Sequence, residues 1–443
     1  MASIILLLLL LLPVLFLLQS LKKNKRASIR LPPGPKGLPL IGNLHQIDNS
    51  KPHYSLWKLS KQYGPLMSMR FGFVPTLTVS SAKMAKEIFK NHDLQFSSRP
   101  ISLGRQKLSY NHLDLAFTPY NDYWRKMRKV CVIHLFSSTK VRSFRSIRED
   151  EVSRLIEKIS KSSVASEPIN LSDLMMSVTS TIICRLAFGK RYEDEGIERS
   201  RFHDLFNETQ ALFVRSFFSD YFPNFTEWDK FYQELIDDHL NPQRAKTEQE
   251  DIIDVLLQIR KNRGFRFDLT WNHIKGLLMV IFVAGTDSSA SAVVWAMTYL
   301  MKNPRVMKRA QREIRNLIGT NKGFVDEDDV QKLTYLKATV KETMDCNQDP
   351  AVWKNPEEFD PDRFIESPID FNGQHYELRP FGSGRRICPG MLMGVATLEL
   401  SLANLLYKFN WETISEEDLD IDSLPGLTML KKNPLWLMPR IYL

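Results

Sequence analysis

The stretch Phe381-Gly382-Ser383-Gly384-Arg385-Arg386-Ile387-Cys388-Pro389-Gly390 decides the reading of this chain. It ends a glycine-bearing turn on one cysteine, sets two arginines just before it, and runs at once into an apolar helical segment. Gly382 and Gly384 admit backbone conformations that a β-carbon forbids, and let the main chain lie close to a flat ligand. Pro389 suits the first turn of the following helix, where its missing N–H is no loss. The N–H groups of Gly390 and Met391 then face the sulfur, and a helix N-terminus stabilises a thiolate. Cys388 must ionise to act as a ligand. Arg386 is placed to grip a carboxylate in a bidentate fork. A lone cysteine is most often a small buried apolar residue. Phe381, Gly384, Arg386, Cys388 and Gly390 together point instead to a metal-binding loop.

Those five residues satisfy F-x-x-G-x-R-x-C-x-G, and the loop resembles the haem-thiolate loop of the cytochrome P-450 superfamily. The resemblance implies haem b as cofactor, with Cys388 as its axial thiolate and Phe381, Gly384, Arg386 and Gly390 around it. A thiolate on haem iron pushes electron density that favours O–O cleavage. The fold implied is mainly α with a small β-sheet portion, one large catalytic domain behind an N-terminal membrane helix.

Upstream, residues 270–301 form the longest helical candidate, with Thr270 as N-cap. Residues 277–283 are apolar around the whole circumference, which predicts deep burial. Then comes Ala284-Gly285-Thr286-Asp287-Ser288-Ser289. A glycine inside a helix costs roughly 1 kcal/mol against alanine, and a buried acid followed by hydroxyls costs more unless partnered. The serines also have a plain structural use, bonding back to the preceding turn and bending the helix. The segment resembles the superfamily's oxygen-binding groove, A/G-G-x-D/E-T. That resemblance implies that Gly285 admits dioxygen and that Asp287 and Ser288 deliver protons. Serine replaces the usual threonine at 288, keeping the hydroxyl but losing the methyl that fixes its rotamer.

Trp124 and Arg128 lie four apart on one predicted helical face. They match the superfamily's W-x-x-x-R, whose side chains bond a haem propionate. Lys126, Lys129 and Arg385 are expected on the cysteine side, where they would steer an acidic electron donor. Shorter helices are predicted over residues 141–161, 171–188 and 304–318, and strands at residues 66–70 and 76–79. No G-x-G-x-x-G follows a strand, so a Rossmann domain is unsupported.

Composition is that of an ordinary globular protein, with 43% of the 443 residues hydrophobic and 25% charged. A net charge of +9 admits nucleic-acid binding. No zinc spacing, RNA-binding aromatic motif or long basic tract supports it, so no nucleic acid is expected. Cys131, Cys184, Cys346 and Cys388 are scattered, which fits a reducing compartment better than a disulfide framework. Residues 1–21 are uncharged and mostly aliphatic, and Lys22-Lys23-Asn24-Lys25-Arg26 follows at once. That order predicts a retained membrane anchor with the body on the cytosolic side. Residues 22–39 read as a basic and proline-rich hinge, and 40–443 as the monooxygenase domain. The hinge resembles that of plant microsomal members, which implies residence in the endoplasmic reticulum membrane, single-pass, and electrons from an NADPH-linked flavoprotein reductase.

Two places depart from the family pattern. Lys341-Glu342-Thr343-Met344-Asp345 stands where the family has E-x-x-R, so Asp345 replaces the arginine. The chain then passes within a few residues to Asp349-Pro350-Ala351-Val352-Trp353, where a helix end and several strands normally intervene, so the domain is incomplete around 345–349. The partner motif survives as Phe359-Asp360-Pro361-Asp362-Arg363-Phe364. A smaller gap is expected between Phe225 and Glu227. The expected function is insertion of one oxygen atom from dioxygen into a small apolar substrate. Two alternatives stay open here: a haem-deficient, non-catalytic relative, and an isomerase or dehydratase that needs no electron donor. The intact Asp287-Ser288 pair speaks against the latter.

Overall fold

The computed structural model describes residues 31–48, 51–101, 106, 109–191, 226–244, 249–262, 268–345, 352–424 and 428–442. The predicted anchor at residues 1–21, the basic run at 22–26, the junction at 346–351 and the gap beside Phe225 lie outside the described residues. The chain divides into two compact units, Met1–Met84 and Ala85–Leu443.

In the first unit, helix α1 (Pro52–Tyr63) precedes an antiparallel hairpin of β1 (Leu66–Phe71) and β2 (Val74–Val79). Leu66 pairs with Val79 and Phe71 with Val74, so both predicted strands are present. The proline-rich stretch is no free spacer. Ser68 N–H donates to Pro33 O at 3.0 Å, and buried Asn43 bridges Pro35 O and Arg70 N–H at 3.0 and 2.7 Å. Proline carries no N–H, so the segment is fastened through its carbonyls.

The second unit holds the core. Its longer helices are α2 (Asp122–Val130), α3 (Arg145–Ala165), α4 (Leu171–Phe188), α5 (Thr226–Leu240), α6 (Ile252–Asn262), α7 (Trp271–Lys302), α8 (Pro304–Ile318), α9 (Thr334–Thr343) and α10 (Met391–Lys408). A three-stranded antiparallel sheet places β7 (Trp436–Ile441) between β3 (Ile169–Asn170) and β4 (Phe409–Thr413). A two-stranded ribbon joins β5 (Ser423–Leu424) to β6 (Leu430–Lys431).

Helix α7 runs through the middle. Thr270 Oγ1 accepts from His273 N–H, and His273 Nδ1 accepts from Thr270 N–H, a reciprocal cap at the predicted start. Leu277, Leu278, Phe282 and Val283 are buried as the sequence required. Helix α4 packs along α7, with the Phe188 and Phe282 rings 6.2 Å apart. These two helices are long and apolar enough to cross a membrane, yet both lie within the core. The helix expected over residues 141–161 starts at Arg145 instead. Ser137 caps a separate short helix, Ser138–Ser143, and Phe144 breaks the run.

Candidate haem-thiolate site

The cysteine loop closes on itself. Cys388 N–H donates to Phe381 O at 2.9 Å and Ile387 N–H to Gly384 O at 3.2 Å. Gly382 and Gly384 take φ of +75° and +68°. At Gly384 a β-carbon would also meet Asp93 Oδ1 at 2.6 Å, so no larger residue fits without displacing that side chain. Pro389 does not occupy the first helical turn as expected. Gly390, at φ −87° and ψ 8°, is the N-cap and α10 begins at Met391. The N–H groups of Gly390 and Met391 nonetheless reach the sulfur. They and Arg128 pull the Cys388 thiol down, while burial pushes it up and prevails. The protein alone therefore leaves the thiol short of ionisation, and a metal cation is the charge that would complete it.

The sulfur's residue borders a cavity of about 430 Å³. Trp124, Arg128, Arg386 and Phe381 line it, as do Gly390, Met393 and Gly394 near the cysteine in the chain. Ala284, Gly285, Ser288 and Ser289 face it from α7, and Thr179, Ile182 and Ile183 from α4. Ala284 and Ser288 are exposed in the middle of an otherwise buried stretch, because the cavity lies against them.

Trp124 is capped into place by Asn121, whose side chain accepts Trp124 N–H at 2.8 Å. Its indole Nε1 donates to Leu115 O at 2.9 Å. Arg128 donates to Ile387 O, one residue before the cysteine. Arg386 donates to Ser97 O at 2.7 Å, Thr118 O at 2.7 Å and Leu115 O at 3.4 Å, and lies 4.3 Å from the Trp124 ring centroid. Burial, and the positive charge of Arg99 and Arg128, pull the Arg386 guanidinium down to about 10, against the pull of Asp114. An anion in the cavity would relieve that crowding. Arg99 was missed in the sequence; only an isolated Ser98-Arg99-Pro100 marks it.

On α7 the two proposed proton carriers differ in placement. Ser288 opens on the cavity and its hydroxyl donates to Ala284 O at 2.6 Å, back to the preceding turn. Asp287 is 3% exposed and does not line the cavity. Its Oδ1 lacks a hydrogen-bond partner, and burial pushes its carboxyl up to about 7. Gly285 does a job the sequence did not reveal. A β-carbon there would lie 2.7 Å from Ile183 Cδ1, so the glycine also lets α4 approach.

Of the basic residues expected on the cysteine side, Lys126 pairs with Asp122 at 2.7 Å and Arg385 with Asp93 at 2.9 Å. Glu342 and Arg363 keep their ion pair at 3.1 Å, both side chains nearly buried.

Cys131 also lines the cavity, but burial pushes its thiol up to about 12, whereas the Gly390 and Met391 N–H groups reach Cys388. The Cys388 thiol, with arginines beside it, suits a flat metal macrocycle bearing carboxylates, so the residues present fit a haem. A family model described as Cytochrome P450 matches residues 32–344 and 345–438, breaking where the E-x-x-R arginine is lost. Among relatives, a 6,7,8-trihydroxycoumarin synthase of Pastinaca sativa is 43% identical over 485 positions, covering 95% of each chain. A strychnine-11-hydroxylase of Strychnos nux-vomica is 41% identical, over 96% of this chain and 94% of that one. The first alignment is longer than the 443-residue chain, so the relative carries residues this chain lacks. A zebra fish cytochrome P450 structure with abiraterone superposes with a TM-score of 0.76 at 22% identity, over 88% of this chain and 99% of that one.

Proposed function

The chain belongs to the cytochrome P450 family, and from that premise we propose which residues carry its monooxygenase activity and what serves it. Bound haem would supply reductive activation of dioxygen, with one oxygen atom entering the substrate and the other leaving as water. Cys388 would hold the iron through Sγ. Arg128 and Arg386, joined by Arg99, would hold the cofactor carboxylates through guanidinium donors, and Trp124, whose one indole N–H is given to Leu115 O, would back them with its ring. Phe381, Gly384 and Gly390 shape the loop so that the sulfur stays at the cavity. Gly285 keeps α7 close to α4 and leaves room beside Ser288.

Proton supply falls to Ser288 and Asp287. The Ser288 hydroxyl stands on the cavity wall and would serve by exchanging its bond to Ala284 O for one to a water in the cavity. Asp287, with a carboxyl near 7, is partly protonated at neutral pH; it lies behind the cavity wall, next to Ser288, and would have to turn toward the cavity to pass its proton on. The electron donor we assign is an NADPH-linked flavoprotein reductase, docking on the basic cysteine side. The uncharged run at residues 1–21 would hold the body to the endoplasmic reticulum membrane. Ile182, Ile183, Leu277, Val280 and Ile281 give the cavity a mostly aliphatic wall, which suits a small apolar substrate. Relatives named for trihydroxycoumarin and strychnine point to plant secondary metabolites as its class.

The observation that carries the reading is the meeting of Cys388, Trp124, Arg128, Arg386 and Ser288 around one cavity. The haem-deficient alternative is not favoured, because these residues and the Glu342–Arg363 pair are assembled together. The reduced, carbon-monoxide-bound absorption spectrum of the purified chain is the direct test. A red-shifted thiolate band that disappears in Cys388→Ser is expected; a chain that takes up no haem would overturn the reading.

A further inference from the structure

Residues 114–118 form a loop with no regular structure, yet most of the cavity's cationic wall leans on it. Leu115 O accepts from Trp124 Nε1 and Arg386, Ala116 O from Arg99 Nε at 3.3 Å, and Thr118 O from Arg386. Leu113 O, just before the loop, accepts from the Tyr123 hydroxyl at 2.5 Å. Backbone carbonyls aim side chains this way only if the loop itself is fixed.

What fixes it is one buried carboxylate. Asp114 is 0% exposed. Its Oδ2 accepts from Ala116 N–H at 3.3 Å and Phe117 N–H at 3.2 Å. Its Oδ1 accepts from Phe117 N–H and Thr118 N–H at 3.1 and 3.2 Å. The Thr118 hydroxyl reaches His112 O at 2.8 Å. Three successive non-glycine residues, Tyr110, Asn111 and His112, hold positive φ immediately upstream. Such conformations persist only when their surroundings over-determine them.

We propose that Asp114 is the positioning residue for the carboxylate-binding wall: its carboxylate folds residues 114–118 into a shelf whose carbonyls aim Trp124, Arg99 and Arg386 at the cofactor. The assignment rests on the haem reading given above, since it names what the wall binds. Asp114 does not line the cavity; it acts through Arg386 and its neighbours. The carbonyls of Leu115 and Thr118, with that of Ser97, also hold the Arg386 guanidinium before any ligand arrives, which lowers the ordering cost of binding.

The test combines Asp114→Asn with Arg386→Ala in the full chain and follows haem transfer to an excess of a haem-scavenging apoprotein. Asp114→Asn should speed haem release about tenfold, the worth of one hydrogen bond to a charged group. In the Arg386→Ala background the same change should add less than about threefold, because residues acting through one another are not additive. Unchanged release, or an equal factor in both backgrounds, overturns the proposal. Amide exchange of the haem-free chain gives a second readout: Ala116, Phe117 and Thr118 should lose protection in Asp114→Asn, and retained protection would also overturn it. If that variant does not accumulate, Thr118→Val removes the hydroxyl that ties the same loop to the Asp114 and His112 carbonyls and should show the same coupling to Arg386→Ala. A wild-type chain that takes up no haem defeats the parent reading, while the exchange experiment still decides whether Asp114 holds the loop.

Discussion

At the residue scale, the proton carriers are the most exposed to test. Ser288 presents a hydroxyl to the cavity but bonds it to Ala284 O at 2.6 Å, so it must rotate to serve. A serine rotates more freely than the threonine of the related pattern, whose methyl fixes χ1. Ser288→Ala should therefore raise the ratio of hydrogen peroxide released to product formed, by about tenfold or more on the usual scale of acid–base contributions. Ser288→Thr should lower that ratio below wild type. Equal ratios across the three chains would remove the hydroxyl from the mechanism. Asp287 makes a different prediction, one about stability. Burial raises its carboxyl to about 7 in the fold. A raised acid is favoured protonated, so its contribution is intact below the unfolded value near 4 and is lost as pH rises through 7. Asp287→Asn, which cannot ionise, should gain stability over wild type between those limits, by at most about 1.4 kcal/mol per pH unit. Denaturant unfolding at pH 5, 6 and 7 reads this; a constant difference would mean that Asp287 is not held protonated.

At the scale of elements, the crossing of α4 on α7 sets the back of the cavity. Gly285 and Ile183 meet there, and Thr179 Oγ1 donates across to Thr286 O at 3.0 Å. Gly285→Ala should gain helix propensity of about 1 kcal/mol but overpack against Ile183 Cδ1, which costs typically about 1–3 kcal/mol. The net expectation is a lower melting temperature, partly restored by adding Ile183→Val, which removes the clashing methyl. No restoration would mean that the glycine is not there for packing. These helices were legible because their ends carry local signals. Asn170 caps α4 and Gly189 ends it at φ +64°, Pro304 opens α8, and Thr270 with His273 closes the start of α7. The β3–β7–β4 sheet was not legible. β3 is two residues long, its partner lies at the far end of the chain, and Pro439 sits inside β7, where a proline argues against a strand. Its carbonyl is used instead, accepting from Ser163 Oγ at 3.0 Å.

At the scale of the whole molecule, the site's local motifs could be read but their joint support could not. Cys388, Trp124, Arg128 and Ser288 announce themselves by spacing. Asp114, Arg99 and Thr179 act through tertiary contacts that no spacing encodes. The break after Met344, where the family match divides, shows the same limit from the other side. The sequence reveals a lost arginine, and the structure reveals what the loss leaves behind. Glu342 pairs with Arg363 at 3.1 Å and accepts Asp360 N–H at 2.9 Å. Even so, burial raises its carboxyl to about 7, with Asp345 and Asp360 adding to the rise and the Asp360 N–H and Arg363 opposing it. Like Asp287, Glu342 has a folded pKa above its unfolded one, so its contribution to stability fades as pH climbs from about 4.5 through 7. Asp345→Arg would remove a raising charge and supply a lowering one three residues away on the same helical end. The Glu342 pKa should fall, and the variant's advantage should grow with pH by about 1.4 kcal/mol for each unit of that fall. A cation near the end of α9 would also help through the helix dipole, but equally at every pH. Unfolding at pH 5 and pH 8 separates the two. A gain confined to pH 8 means that the chain lacks the arginine's charge at Glu342, whereas equal gains at both would assign the benefit to the helix end alone.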